Sequence, residues 1–500
     1  MKRSFRWTVL FAMLVAGVLA AVNLAPSTLS RSIPVVQKTK KDLEPQERRP
    51  QRQSGKTPIK TTLLQLAEEE VTEDSDDPDL PPGMTGKIDK ESYLRARADY
   101  IDMLRGREGD VPASAREDAI ADMSRQEKVQ QRRVSQGLLP AVNTSDWVFL
   151  GPAPIPLGQT STTRVPVSGR TISIAVHPTD PDTVYVGTAQ GGLYKSTDGG
   201  THWTALFPFE LETLAIGAIT IDPTDSSIVY VGTGENSLSA DSFAGKGLYI
   251  IRNANAPSPT LTGPFRLDSG ANDVFSGRSI GRVLVNPLNN NTIFVVTAQG
   301  TGGNPNTTLL NAPRRGLYRS TNAQSPNPTF EQITITGIAA PNDRNVIDAG
   351  LDPANPNLLV LSVVGAASDG GLYRTANALD PVPTFTRTLV TPDGSTNGRA
   401  ELYFNRNSTS LTIYAATGEI SSAALGGPAC AASTAGLVRR STDGGQTWSV
   451  PLTGSTGFCG GQCFYDMAIA ATPDNQTIHL GGAARGGSGS CTIDVMKRSV

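Results

Sequence analysis

Gly192-Leu-Tyr-Lys-Ser-Thr-Asp-Gly-Gly-Thr-His-Trp203 decides the fold of this chain, because it comes back. Gly436-Leu-Val-Arg-Arg-Ser-Thr-Asp-Gly-Gly-Gln-Thr-Trp448 repeats it almost whole. Gly247-Leu-Tyr249, Gly316-Leu-Tyr-Arg-Ser-Thr321 and Gly371-Leu-Tyr-Arg-Thr375 repeat its opening. Two short β-branched runs precede each copy, the first of them ending at a proline or an equivalent turn. In the first copy these are 168–178 and 183–189. The later copies read 218–223 and 228–234, 282–287 and 292–296, 347–353 and 358–361, 400–404 and 411–414, 467–473 and 476–481.

Pro178, Pro223, Pro287, Pro353 and Pro473 mark the period, with Asn407 at the fifth turn, so a core of about 45 residues carries insertions of varying length. A four-stranded sheet of that size cannot cover both its faces, so successive copies must stack around an axis. The expected fold is an all-β propeller of four-stranded blades, about six or seven in number, over residues 142–500. The sixth copy breaks off at 494–499, after its third strand. This suggests an incomplete last blade and a chain that continues beyond Val500.

Composition agrees. Of 500 residues, 38% are hydrophobic and 18% charged, while Gly (50) and Pro (35) supply many turns. The net charge of −2 gives no field that would draw nucleic acid. Three His and four Cys argue against a metal site, and no cofactor is expected.

Ahead of the repeats, Lys2, Arg3 and Arg6 precede an apolar run over 7–22 with small residues at Ala20, Ala21 and Ala25. This reads as a signal peptide, 1–25, and predicts a secreted, periplasmic or cell-surface protein. The membrane would be touched only through that segment if it stayed uncleaved. Residues 26–87 carry a basic block and then an acidic one with little apolar content, the pattern of a disordered linker. Residues 88–137 predict a helical segment, with helices near 89–106 and 114–135 that pack on or beside the propeller. All four cysteines, Cys430, Cys459, Cys463 and Cys491, fall in the last two copies. In an oxidising compartment they predict two disulfides, Cys430–Cys459 with Cys463–Cys491, or alternatively a tight Cys459–Cys463 loop.

The Ser-x-Asp-x-Gly-x-x-Trp turns, with Ser196, Asp198, Gly200 and Trp203 in one and Ser441, Asp443, Gly445 and Trp448 in the other, resemble the BNR or Asp-box repeat. That family includes sialidases, xyloglucanases and sortilin-type propellers. Degenerate versions begin at Ser320, Thr375 and Asn253. The resemblance implies that the boxes cap hairpins and are structural, with the Trp packing between blades. It also implies an arginine triad and a Phe/Tyr-Arg-Ile-Pro motif in sialidases, of which Thr163-Arg-Val-Pro166 is a departing form.

Arginines recur near the starts of first strands: Arg170, Arg282, Arg344 and Arg399. Converging on a funnel they would bind an anionic ligand. Glycosidase chemistry needs two carboxylates, for which Glu235, Glu419, Asp348 and Glu401 are candidates. The expected function is therefore an exported binding module for an extracellular glycan or protein, using the funnel face and its insertions. A glycoside hydrolase on the same face is the alternative.

Overall fold

The computed structural model describes residues 115–139 and 169–499, leaving out 140–168 and, within the second span, 208–210, 239–241, 301–311, 366–368, 392–397, 421–434, 453–457, 460–462, 464–466 and 483–495. The signal peptide, the linker, the helix near 89–106, Thr163–Pro166, Cys430 and Cys491 all lie outside the described residues. One helix, α1 (Ala115–Ser135), precedes the sheets. Its side chains are almost all exposed, so the expected packing against the propeller is not seen.

Six antiparallel sheets follow in chain order, each a meander in which neighbours in sequence are neighbours in space. Their first strands are Thr171–Val176, Ile216–Ile221, Arg278–Val285, Asn345–Leu351, Ala400–Arg406 and Ala468–Ala471. Each first strand lies beside the next around a common axis, which makes the sheets blades 1 to 6 of a β-propeller. Blades 1 to 4 have four strands and blades 5 and 6 have three. In blade 5 residues 449–452 take the fourth lane, Ser449 and Leu452 donating their amides to Arg440 O and Val438 O without a regular ladder.

The core sits between blades rather than within them. Tyr185, Leu193 and Phe207 of blade 1 meet Ile216, Val229 and Tyr249 of blade 2, and equivalent clusters join each later pair. The tyrosine of Gly-Leu-Tyr is buried in blades 2 to 4 (Tyr249, Tyr318, Tyr373) and half-buried in blade 1 (Tyr194), with Phe207 edge-on to Tyr249 and Phe275 to Tyr318, both at 5.1 Å. Sequence and burial agree on why. Val229–Thr233 is buried at every position because both faces of its sheet are covered, whereas Val184–Thr188 alternates. Blade 1 leaves Ile174 and Val176 of its inner strand exposed, as well as Trp203.

A polar staple crosses four successive interfaces. Lys195 Nζ donates to Ala254 O (2.6 Å), Arg252 Nη2 to Ala323 O and Ser325 O, Arg319 Nη1 to Ala378 O and Asp380 O, and Arg374 Nε to Gly444 O. Each basic side chain of one blade thus satisfies carbonyls in the third-to-fourth-strand turn of the next.

Those turns are closed by the Ser-x-Asp motif. Asp198 Oδ1 accepts from Ser196 Oγ (2.8 Å) and His202 N (2.8 Å), and Asp443 Oδ1 from Ser441 Oγ (2.7 Å), Gln446 N and Thr447 N. Gly199-Gly200 and Gly444-Gly445 take positive φ, which the tight reversal requires. Asn322 and Asn377 do the same work as the aspartates, with Ser320 and Thr375 donating to them. Trp448 packs into the blade 4–5 core and donates from Nε1 to Thr388 Oγ1 at 3.1 Å. Trp203 departs from the expectation. It is 43% exposed, because the face on which it lies has no blade against it among the described residues.

Cys459 and Cys463 form a disulfide, both fully buried beside Phe458. The pairings Cys430–Cys459 and Cys463–Cys491 are thereby excluded. Their Cα atoms stand 4.9 Å apart, well within bridging range.

Candidate functional site: the central channel

In an antiparallel meander the start of the first strand and the loop between strands two and three share one end of the blade. Thr171 pairs with Thr188, and Ala400 with Thr417. The long insertions therefore gather at the end where the inner strands begin, and the Ser-x-Asp turns at the other.

All four candidate arginines lie at or along the inner strands, and each is held by a carboxylate. Arg170 Nη2 meets Glu235 Oε1 at 2.6 Å, Arg282 Nε meets Asp348 Oδ1 at 2.7 Å, Arg344 Nη2 meets Asp369 Oδ2 at 2.5 Å, and Arg399 Nη2 meets Glu401 Oε1 at 2.6 Å. Three of the four candidate carboxylates are thus the counter-ions of candidate arginines. The fourth, Glu419, lies near the end of Leu411–Ile420, the second strand of blade 5. Arg399 is the most enclosed of the four, its side chain only 8% exposed.

Sequence reading missed the segment that organises this end. After its second strand, blade 2 sends Glu235, Asn236, Ser237 and Leu238 inward, and the first three are buried. Asn236 Nδ2 donates to Ile347 O of blade 4 (2.8 Å), and its own carbonyl oxygen accepts from Arg399 Nη1 of blade 5 (3.1 Å). Leu238 packs on Ala298, Ile347 and Val364. The segment is a plug across the axis. Gly281 of blade 3 makes room for it, since a Cβ there would stand 2.1 Å from Asn236 Nδ2. Only the glycine hinted at this, and its meaning depends on a residue far away in sequence. Arg278 was missed as well. It occupies in blade 3 the place Arg344 and Arg399 occupy in blades 4 and 5, and donates to Pro313 O and Ala312 O.

Below the plug, Arg282, Asp348, Arg399 and Glu401 line up in the channel wall. Asp348 also accepts from Ala349 N (2.8 Å) and Leu402 N (2.7 Å) and is almost fully buried. Burial pushes the Glu401 carboxyl up to about 7. Arg399 opposes this, the Asp348 charge reinforces it, and Arg282 opposes it again. The charge of Asp348, outweighing burial, raises the Arg282 guanidinium above its ordinary value. Further down, the second halves of the inner strands of blades 1 to 5 enclose a cavity of about 430 Å³, open at the end opposite the plug. No group of three or more His, Cys, Asp or Glu suited to a metal ion occurs among the described residues.

No family model matches the chain, and no curated protein sequence matches it. Solved structures do resemble it. An ancestral GH74 enzyme is 20% identical over 63% of this chain and 35% of its own, with a TM-score of 0.42. The GH74 xyloglucanase from Xanthomonas campestris is 15% identical over 65% and 49%, TM-score 0.32. PorZ, a surface component of the type-IX secretion system of Porphyromonas gingivalis, is 16% identical over 63% and 38%, TM-score 0.40. The chain spans between a third and a half of the length of these proteins.

Proposed function

We propose that this protein is an exported β-propeller that binds an extracellular glycan or protein on the end where its inner strands begin. The observation that carries this reading is the asymmetry of the two ends. One bears tight, glycine-closed turns bonded to the next blade. The other bears the insertions after Gln299, Val364 and Ile420, set on a rigid ring, which is where propellers and other rigid scaffolds mount recognition loops. The buried Cys459–Cys463 bridge accords with an oxidising compartment. Within this reading Arg170 and Arg344, each paired with a carboxylate and with side chains about 30% exposed, border the insertion end, and Arg399 holds the plug instead.

The test replaces residues 301–311 by a short Gly-Ser turn and compares both proteins on a glycan array and against extracellular extracts. The reading requires that binding falls while the melting temperature stays constant. Unchanged binding would overturn it.

The raised Glu401 carboxyl near Asp348 favours a second reading, glycoside hydrolysis with Glu401 as the proton donor. Asp348 accepts three hydrogen bonds and is sealed from solvent, which suits a wall residue better than a nucleophile. Release from chromogenic glycosides that disappears in Glu401→Gln would favour the hydrolase. No release by the unaltered protein would remove it.

A further inference from the structure

We propose that the open half of the central channel is a separate ligand site, and that it takes a small apolar carboxylate head-first, the anion on Arg282. This goes beyond the binding reading above, since it concerns the opposite end of the axis from the insertions.

The cavity, about 430 Å³, is the size of a small-molecule site. Its walls are mostly apolar, with Ile219, Ile221, Leu284, Leu351, Leu402 and Phe404 among them. Thr220, Tyr403 and Arg282 are the polar side chains of the lining, and the Thr220 hydroxyl is already committed to Val283 O at 2.7 Å. A sugar would call for more polar side chains than such a wall offers. A molecule with an aliphatic or aryl body and one charged end would not.

The charged end is specified by Arg282. Blade 3 enters the cavity lining at this residue, so Arg282 lies at the inner end, toward the plug. Its side chain is 42% exposed although it lies deep in the ring, because the space it faces is the channel itself. It bonds Asp348 through Nε, which leaves the two terminal nitrogens to a ligand. Asp348 in turn is shared with two backbone amides, so its charge is only partly spent on Arg282. A carboxylate bound by the terminal nitrogens would make a charge-assisted pair.

Titration calorimetry of the full chain with octanoate, octanol and glucose tests the site. Octanoate should bind, octanol about tenfold or more weakly, and glucose not at all, since a lost charge-assisted bond costs at least that factor. Arg282→Gln should bring octanoate down to the octanol level. Val176→Trp at the cavity wall, where Val176 is 53% exposed and the larger ring needs no core space, should abolish both without altering the melting temperature. This second variant keeps the test decisive if Arg282→Gln fails to fold. Equal binding of octanoate and octanol, no octanoate binding at millimolar concentration, or octanoate binding that survives Val176→Trp would each overturn the proposal. Partner binding on the insertion end should ignore Val176→Trp, so the two readings fail separately.

Discussion

Arg399 of blade 5 donates from Nη1 to the carbonyl oxygen of Asn236 in blade 2, 163 residues earlier and 3.1 Å away. Since Asn236 also donates to Ile347 O of blade 4, one residue braces three blades across the axis. The insertion root that looks like a ligand loop in the sequence is therefore an internal strut.

The strut should be energetically coupled to the glycine beneath it. In Gly281→Ala the new Cβ would stand 2.1 Å from Asn236 Nδ2 and 2.5 Å from Ile347 O, and the latter is backbone that cannot swing away. Urea denaturation should show a loss of about 1–3 kcal/mol. Asn236→Ala should cost about as much by leaving Ile347 O without its donor. The double variant should cost less than the two single losses together, because the clash with Asn236 is already gone. Strict additivity would contradict the arrangement.

The staples should act locally. Arg374→Met removes the bond to Gly444 O and leaves a turn carbonyl unsatisfied, for about 1.5–3 kcal/mol. Amide exchange should quicken in the blade 5 turn, residues 442–447, and not in the turn of blade 2. Uniform quickening across the ring would mean that the staple supports the whole fold instead.

Two opposite pH dependences are expected. His202's amide and ring, with the Ser196 hydroxyl, hold Asp198 at about 2. Burial alone would raise Asp443, but bonds from Thr447, Ser441 and Gln446 hold it at about 2 as well. Depressed carboxyls stabilise above their unfolded value near 4 and lose that contribution as pH falls toward 2. Glu401 has the reverse sign. Its folded value of about 7 lies above the unfolded 4.5, so its contribution is full below 4.5 and lost as pH rises through 7. Melting temperatures measured from pH 2 to 8 should thus fall at the acid end and decline gently between 4.5 and 7. Glu401→Gln should flatten the upper slope and leave the acid limb unchanged.

The two tryptophans of the repeated turn should behave differently. Trp448→Ala empties a packed interface and should cost about 3–5 kcal/mol. Trp203→Ala, at a residue 43% exposed, should cost well under half of that in the same denaturation experiment. Equal losses would show that Trp203 is covered in solution.

The Cys459–Cys463 bridge closes a loop of separation 4, so its entropic contribution is small, about 2 kcal/mol. Thiol titration without denaturant should find neither cysteine reactive. Cys463→Ser should lower the melting temperature modestly and leave blades 1 to 4 intact by amide exchange.

Much of the architecture was legible in the sequence, for a definite reason. A propeller core is built between identical neighbours, so the same residues must recur, and Gly-Leu-Tyr, the closing turn and the β-branched runs are that recurrence. The capping role of Asp198 and Asp443 was readable because it is local, all its bonds falling within a few residues. The candidate charges were also visible one by one, as arginines near strand starts and carboxylates near insertions.

What the tertiary structure alone decided was their pairing. Arg170 finds Glu235 and Arg282 finds Asp348 from different blades, with each partner's place set by the angular step between sheets and not by spacing along the chain. The plug depended on insertion length, which varies freely between repeats and carries no period. Which cysteines pair was likewise set by the fold, Cys459 and Cys463 both being buried beside Phe458. The sequence determined the succession of blades through repetition, while contacts across the axis, which join unlike residues once each, were determined by how the blades curve round in three dimensions.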